Sequence, residues 1–210
     1  MVLRLKLEDW RNVFVAVCLV SVLVAAYPIY GIFIPERPVE KFIALGLLGE
    51  NGMAEHYYPS DDPNIGVGVP VKWFVYLYNH MGEAEYVALR VRLLNATVPA
   101  PNSTSCTACP APFFIEVRRI LLKNETLVFP FSWSLEEATK VGDFVRIERL
   151  NVNNVRVASN STALYGYNFR MIFELWIYNE DSQDFGFGWS SGGESRCVWN
   201  QIWFNVTMTK

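Results

Sequence analysis

Hydrophobic and polar residues divide the chain into two parts. Residues 13–34 carry no charged side chain, whereas from Glu36 onward apolar and polar residues alternate along short runs. A helix rises about 1.5 Å per residue, so a segment of this length would extend over about 33 Å, enough to cross a bilayer core about 30 Å thick. The pattern therefore predicts a single transmembrane helix over 13–34, followed by a β-rich region.

The charges that flank this segment predict its orientation. Arg4, Lys6 and Arg11 precede it, and an excess of basic residues is typical of the cytoplasmic side of a membrane helix. We therefore expect a cytoplasmic N-terminus over 1–12 and an extracellular domain over 36–210, in a single-pass protein of the cell membrane.

A cleavable signal peptide is the alternative interpretation of the apolar segment. Val24 and Ala26 are small enough for the positions before a cleavage site, and 13–26 has the length of a signal-peptide core. The apolar run continues for eight residues beyond Ala26, however, which favours an uncleaved anchor. Both interpretations place the remainder of the chain outside the cytoplasm.

Period-two alternation predicts strands through most of the remaining sequence. The runs 71–77 and 87–93 are separated by turn residues at 79–83 and are expected to form a hairpin. The runs 144–150 and 155–158 flank an Asn-rich turn and predict a second hairpin. Further strands are expected at 41–48, 115–121, 127–133, 169–178 and 198–208.

Only one helix is expected after the apolar segment, at 134–140, where Ser134 could cap Glu137. Eight or nine strands without a βαβ rhythm predict an all-β domain. Because each sheet must bury its apolar face, the expected architecture is a two-sheet antiparallel β-sandwich.

Composition supports a folded, aromatic-rich protein. Apolar residues make up 51% of the chain, aromatic residues 15% and charged residues 19%, which excludes a disordered chain and a coiled coil. The formal net charge of −3 argues against a nucleic-acid partner, which usually requires a basic surface.

Five N-x-S/T triplets follow the apolar segment, at Asn95, Asn102, Asn124, Asn160 and Asn205. On an extracellular domain they predict N-glycosylation. The alternative is that Asn, Ser and Thr occur together because all three favour turns.

Three cysteines also follow the apolar segment, and Cys18 lies within it. Disulfides persist outside the cytoplasm, so Cys106, Cys109 and Cys197 are candidates for a disulfide. The bond could join Cys106 to Cys109, or either of them to Cys197. Because the number is odd, one thiol remains free or bonds a partner chain.

No catalytic motif is recognisable, and we predict neither an enzyme nor a bound cofactor or metal. A zinc site from the three cysteines and one His lacks standard spacing, and the acidic loops Asp61–Asp62 and 180–184 are interpreted as solvated turns rather than calcium sites. Phe185, Phe187 and Trp189 occur in a Gly-rich loop, where they either bind a partner or cap the sandwich.

Several segments together resemble a known family. They are FIALG at 42–46, GMAEHYYP at 52–59, PNST at 101–104, PAP at 110–112, PFSW at 130–133, FELWIYN at 173–179 and IWFNVT at 202–207. In this order they resemble the extracellular part of an archaeal membrane protein family catalogued as domain of unknown function sixteen-sixteen, over most of 39–207.

This resemblance implies an archaeal membrane protein with an outward Ig-like domain. Many relatives carry several membrane helices, whereas this chain has one apolar segment, and its three outer cysteines depart from the family pattern. The family has no assigned activity, so the resemblance implies no catalytic residues.

We therefore expect a membrane-anchored cell-surface protein that acts by binding or assembly, in the envelope or in a filament. Its partners would be membrane lipid, through 13–34, and other proteins. The first alternative is an accessory subunit of a larger membrane complex. The second is an extracytoplasmic thiol oxidoreductase that uses Cys106 and Cys109.

Overall fold

The structure is a computed structural model that describes residues 7–33 and 40–208. It contains two compact units, Met1–Val39 and Glu40–Lys210. The first contains one helix and the second contains every strand in the described part of the chain.

The first unit contains α1, Leu7–Phe33, a helix of 27 residues. It begins six residues earlier than the predicted segment, and Ile34 lies outside the described residues. All side chains from Trp10 to Ala25 are exposed. Within 7–33 and 40–208, no helix combines the length and apolarity required to cross a membrane. The predicted transmembrane helix is therefore not supported.

The second unit contains thirteen strands and one short 3-10 turn, Pro59–Asp61. The strands are β1 (Ile43–Leu48), β2 (Asn64–Gly66), β3 (Val71–Asn79), β4 (Glu85–Asn95), β5 (Ile115–Leu121), β6 (Thr126–Val141), β7 (Phe144–Val152), β8 (Val155–Leu164), β9 (Phe169–Asn179), β10 (Asp184–Gly186), β11 (Trp189–Ser191), β12 (Glu194–Arg196) and β13 (Trp199–Thr207).

Two large sheets form the sandwich. Sheet 1 has the order β1-β3-β6-β7-β8, and sheet 2 has the order β2-β13-β9-β4-β5, with β10 also paired to β9. All these pairs are antiparallel except β2 with β13, which is parallel. The expected all-β class with antiparallel sheets is confirmed.

Aromatic side chains from both sheets fill the core. The indole of Trp73 on β3 lies 5.2 Å from that of Trp133 and 6.1 Å from the ring of Phe173 on β9, between ring centroids. Phe131 and Phe204 extend the same cluster. These side chains are at most 2% exposed, so they supply much of the hydrophobic stabilisation.

The expected hairpin of 71–77 with 87–93 is wrong. The two segments belong to β3 and β4, which lie in different sheets. Asn79 explains the crossing, because its buried amide donates to the carbonyl oxygens of Glu83 and Leu121 and accepts from the Met81 amide. The expected hairpin of 144–150 with 155–158 is confirmed, because β7 pairs with β8 around Asn153 and Asn154.

The expected helix at 134–140 is also wrong, because this segment continues β6. Leu135 is buried at the strand period and pairs with Leu150 of β7. The register shifts between Leu135 and Ala138, which is a β-bulge. Burial of Leu135 in the sandwich therefore outweighs the helical preference of the Glu and Ala residues that follow.

Candidate functional site

Residues 96–112, between β4 and β5, form the largest loop that covers a sheet, and we call them the 96–112 loop. The loop lies on the outer face of sheet 2. A small apolar cluster attaches it there: Leu94, Cys109 and Ile172 are buried together, and Val98 and Ala111 pack against them. Part of the outer face of sheet 2, which points away from the core, is therefore shielded from solvent.

A buried ion pair lies beneath the 96–112 loop. The Arg92 guanidinium donates to the Glu174 carboxylate at 2.8–2.9 Å, and the two side chains are 7% and 0% exposed. The same carboxylate accepts from the Cys109 backbone amide at 2.7 Å and from the Trp176 indole at 3.0 Å. Arg92 also donates to the Ala111 carbonyl oxygen. The pair thus joins β4 to β9 and attaches the 96–112 loop to both strands.

Sequence reasoning missed this pair. Arg92 occupies a polar position of an alternating strand, which predicts a solvent-exposed side chain. The signal that could have found it is a Glu at the centre of the long apolar strand β9, since an isolated carboxylate there requires a partner.

A cleft opens where the end of β4 approaches β8, and we call it the lateral cleft. Its volume is about 790 Å³. The two sheets are joined beside it, because the Asn95 amide donates to the Thr162 carbonyl oxygen and the Ser161 hydroxyl donates to the Leu93 carbonyl oxygen, both at 2.6 Å. The lining residues are Leu93, Leu94, Asn95, Val98, Ala111, Pro112, Phe113, Phe114, Ala158, Ser159, Asn160, Ser161 and Thr162.

The lateral cleft lies between mainly apolar walls and an open strand edge. Most of its walls are apolar, and β8 is the terminal strand of sheet 1, paired only with β7 in the sheet order. A terminal strand presents unpaired backbone N–H and C=O groups; on β8 the Thr162 carbonyl oxygen is already engaged by Asn95. An extended segment could therefore add to β8 through its backbone while its side chains enter the cleft.

A second cleft of about 680 Å³ lies further along β5. Val117 and Arg119 of β5 line it, together with Phe129 and Trp133 of β6. The Trp133 indole N–H is buried and has no hydrogen-bond partner in the described structure. The walls of this cleft are more polar than those of the lateral cleft. We therefore take the lateral cleft as the better candidate for a binding site.

The three outer cysteines are divided into a pair and a single thiol. Cys106 and Cys197 each place their sulfur near the Ser103 carbonyl oxygen, at 3.7 and 3.9 Å. Cys109 is buried against Leu94 and Ile172 instead. Burial raises the pKa of the Cys109 thiol, which disfavours a reactive thiolate at the second position of the CxxC. All four cysteines, including Cys18, are unbonded here.

The five N-x-S/T asparagines fall into two groups. Asn102, Asn124 and Asn160 are exposed. Asn95 and Asn205 are half-buried, and their amide nitrogens donate to the Thr162 carbonyl oxygen at 2.6 Å and to the Asn64 side chain at 3.0 Å. A glycan on either of these two nitrogens would have to fit beside a hydrogen bond of the fold at a half-buried position.

The aromatic loop packs against the sandwich. Phe185 is buried, with its ring 5.1 Å from that of Tyr86, and Phe187 lies 5.7 Å from the ring of Trp176. Trp189 is half-buried and donates to the Lys41 carbonyl oxygen at 3.3 Å. Partner binding by these residues stays a prediction. None of the three side chains is fully exposed to solvent.

The two histidines lie apart from the cysteines. His56 contacts Asp61 at 2.8 Å, and the ring of His80 lies 4.9 Å from that of Phe42, between ring centroids. Among residues 7–33 and 40–208, no group of three or more His, Cys, Asp or Glu side chains converges as metal ligands do. The chemistry that this geometry offers is recognition through backbone edges and apolar walls.

The fold thus defines the chain as a protein with a β-sandwich domain of two mainly antiparallel sheets. Comparison with protein-family models and with curated proteins yielded no match. Solved structures with a similar fold include the CARDB domain of the PF1109 protein from Pyrococcus furiosus, in complex with di-metal ions. It is 9% identical, with 81% of this chain and 96% of that chain covered and a TM-score of 0.38.

Two other solved structures are similar at the same level. The C-terminal domain of wzt is 8% identical, over 83% of this chain and 81% of that one, with a TM-score of 0.36. The β-D-glucoside glucohydrolase from Trichoderma reesei is 10% identical, over 81% of this chain and 19% of that one, with a TM-score of 0.31. Similarities at this distance assign neither a family nor a function.

Proposed function

We propose that the protein acts by binding or assembly rather than by catalysis, and that its partner contributes an extended segment that adds to β8. The observation that carries this proposal is the lateral cleft, an apolar groove beside a terminal strand. Backbone hydrogen bonds to β8 would supply affinity, and the residues that line the cleft would select the partner side chains.

Site-specific photo-crosslinking tests the binding proposal. A photoreactive residue at Phe113, on the wall of the cleft, is expected to crosslink a protein partner in intact cells. The matched control is the same residue at Lys72, an exposed position of sheet 1 that does not line the cleft. Ala158→Arg, which fills the cleft, is expected to lower the Phe113 yield at least fivefold. Equal yields at the two positions would contradict the proposal.

The proposed location is the outside of the cell membrane, with attachment through residues 13–34. Large apolar side chains of α1, among them Val13, Phe14, Val17 and Leu23, are more than half exposed, so water alone would solvate them at a high cost. In the sequence, the basic residues before this segment favour an N-terminus in the cytoplasm. Membership of the archaeal family of unknown function, with an Ig-like domain, belongs to this same proposal.

Glycosylation is proposed for Asn102 and Asn124, because these asparagines are exposed and do not line the lateral cleft. Asn160 is also exposed but lines the cleft, where a glycan would obstruct the partner segment. Peptide mass mapping of protein from its native membrane is expected to find glycans at Asn102 and Asn124, and Asn→Gln at each should remove one mass increment. Asn95 and Asn205, whose amides are hydrogen-bonded, serve as internal controls. Occupancy of Asn95 and Asn205 and not of Asn102 and Asn124 would overturn the assignment.

An accessory subunit of a larger membrane complex is the second candidate function, favoured by the exposed apolar surface of α1. A helix that docks on other membrane helices needs an apolar surface of this kind. Extraction in mild detergent discriminates the candidates. An accessory subunit would co-purify with polytopic proteins after Ala158→Arg, whereas a partner bound at the lateral cleft would be lost.

A further inference from the structure

The sulfur positions distinguish among the three disulfides that the sequence leaves open. Cys106 and Cys197 are 91 positions apart in sequence, yet both sulfurs lie within 4 Å of the Ser103 carbonyl oxygen, and the Cys197 sulfur is also 4.0 Å from the Asn102 carbonyl oxygen. The two thiols therefore face the same carbonyl group. Cys109 is only three residues from Cys106, but it turns inward, where Leu94 and Ile172 enclose it.

We infer that Cys106 and Cys197 form a disulfide in an oxidising compartment and that Cys109 remains a thiol. The bond would join the 96–112 loop to the segment between β12 and β13. The Arg92–Glu174 pair already binds the inner side of this loop through hydrogen bonds. The disulfide would add a covalent attachment on its solvent side.

The backbone around the pair supports this assignment. Cys106 adopts a left-handed conformation, with φ of 45°, which is costly for a residue with a side chain. The tight turn that imposes it is closed by backbone hydrogen bonds in both directions between Asn102 and Thr107. The Asn102 side chain also accepts from the Thr104 amide at 2.8 Å. The turn thus holds the Cys106 sulfur on the side where Cys197 lies.

The reaction is a thiol–disulfide exchange with a disulfide oxidant, either an oxidoreductase or oxidised glutathione. The thiolate of one cysteine of the pair attacks the oxidant disulfide, which breaks and releases one thiol. The thiolate of the other cysteine then attacks the mixed disulfide, forming the Cys106–Cys197 bond and releasing the second thiol. Two electrons and two protons pass from the protein to the oxidant, so the exchange balances.

Alkylation and peptide mapping of the unglycosylated full chain test the inference. After equilibration with a mixture of reduced and oxidised glutathione, in which excess reduced glutathione reverses mixed disulfides, the protein is denatured and alkylated. Two adducts are then expected, at Cys18 and Cys109, against four in reduced protein. Trypsin should release a crosslinked pair of peptides, 93–118 with 197–210, because no Lys or Arg interrupts either peptide before its end. Fragmentation between Cys106 and Cys109 then identifies the bonded sulfur.

Three variants provide the controls. Cys109→Ser is expected to keep the crosslinked peptides, whereas Cys106→Ser and Cys197→Ser are expected to lose them. Oxidation should raise the Tm of the wild-type chain and of Cys109→Ser by about 5–10 °C, because the bond constrains a long loop of the unfolded chain. The oxidised and reduced wild-type chains can be compared even if a variant does not fold.

A bond to Cys109, or alkylation of all four cysteines after oxidation, would overturn the inference. Neither result depends on partner binding at the lateral cleft. The disulfide and the proposed function therefore succeed or fail separately.

Discussion

At the residue scale, the Arg92–Glu174 pair is the most deeply buried ion pair in the described part of the chain. Glu174→Ala would leave the Arg92 guanidinium buried without a carboxylate, and removal of one partner from a buried pair costs about 3–5 kcal/mol. We expect a loss of this size in urea unfolding, with increased protease sensitivity of the 96–112 loop.

The matched control is Glu137→Ala. Glu137 pairs with Arg149 at 3.3 Å, but the two side chains are 44% and 51% exposed, so the loss should be at most about 1 kcal/mol. Equal losses in the two variants would show that the buried pair does not stabilise the fold as described.

His56 is a second residue whose behaviour the structure predicts. The hydrogen bond and charge of Asp61 raise the pKa of His56 above its ordinary value of 6.5. Because the folded-state pKa is raised, the contact stabilises the fold below about pH 6.5, and the stabilisation is lost as the pH rises through the folded-state pKa.

NMR titration of the His56 ring protons measures this shift. Asp61→Asn should lower the pKa of His56, while Asp62→Asn, whose carboxylate accepts from Asn64 instead, should leave it unchanged. Identical His56 titrations in wild type and Asp61→Asn would contradict the assignment.

Residue types were easier to predict from the sequence than residue environments. The five N-x-S/T asparagines and the cysteines are evident from the sequence, but the engagement of Asn95 and Asn205 depends on strands far away along the chain. Likewise Arg92 occupies a position that faces solvent in an isolated sheet, and only the 96–112 loop buries it. Local alternation contains no information about such a covering loop.

At the scale of elements, the turn between β8 and β9 carries the chain from one sheet to the other. Gly166 lies in this turn with φ of 80°, and its carbonyl oxygen accepts from the Val206 amide of β13 at 2.8 Å. A Cβ atom on Gly166 would lie 2.5 Å from the Val206 carbonyl oxygen. The turn is therefore docked on β13 in a way that only glycine permits.

Gly166→Ala is expected to destabilise the domain by about 3 kcal/mol or more, because backbone strain and steric overlap add. Gly142→Ala separates the two effects, since Gly142 also has positive φ, 63°, but a Cβ there would meet no atom within 4 Å. That variant should lose only about 1–2 kcal/mol. Thermal unfolding measures the loss of stability in both variants. Similar losses would show that steric overlap with Val206 does not contribute at Gly166.

The strands were predicted more successfully than their pairing. Alternation located most of the segments that form β3 to β9, because one face of each strand is buried. It could not show that β3 and β4 lie in different sheets, because a short turn can either reverse a strand within a sheet or carry it to the opposite sheet. Here the buried contacts of Asn79 decide between the two.

At the scale of the whole molecule, the two units can be separated experimentally. Residues 40–210 contain the sandwich core, so deletion of 1–39 should leave the β-type circular dichroism spectrum and the Tm unchanged. The full chain should float with neutral phosphatidylcholine vesicles in a density gradient, whereas the truncated chain should not. Flotation of the truncated chain would contradict attachment through 13–34.

The long sequence separation between the paired strands β2 and β13 has a consequence for biosynthesis. Asn64 and Asn205, neighbours across this pair, are separated by 141 positions. A ribosome has produced every strand of sheet 1 by Leu164, while β9 and β13 of sheet 2 are still missing. A nascent chain therefore exposes the aromatic face of sheet 1, including Trp73 and Trp133, for several seconds of translation. Chaperones are expected to bind during this interval.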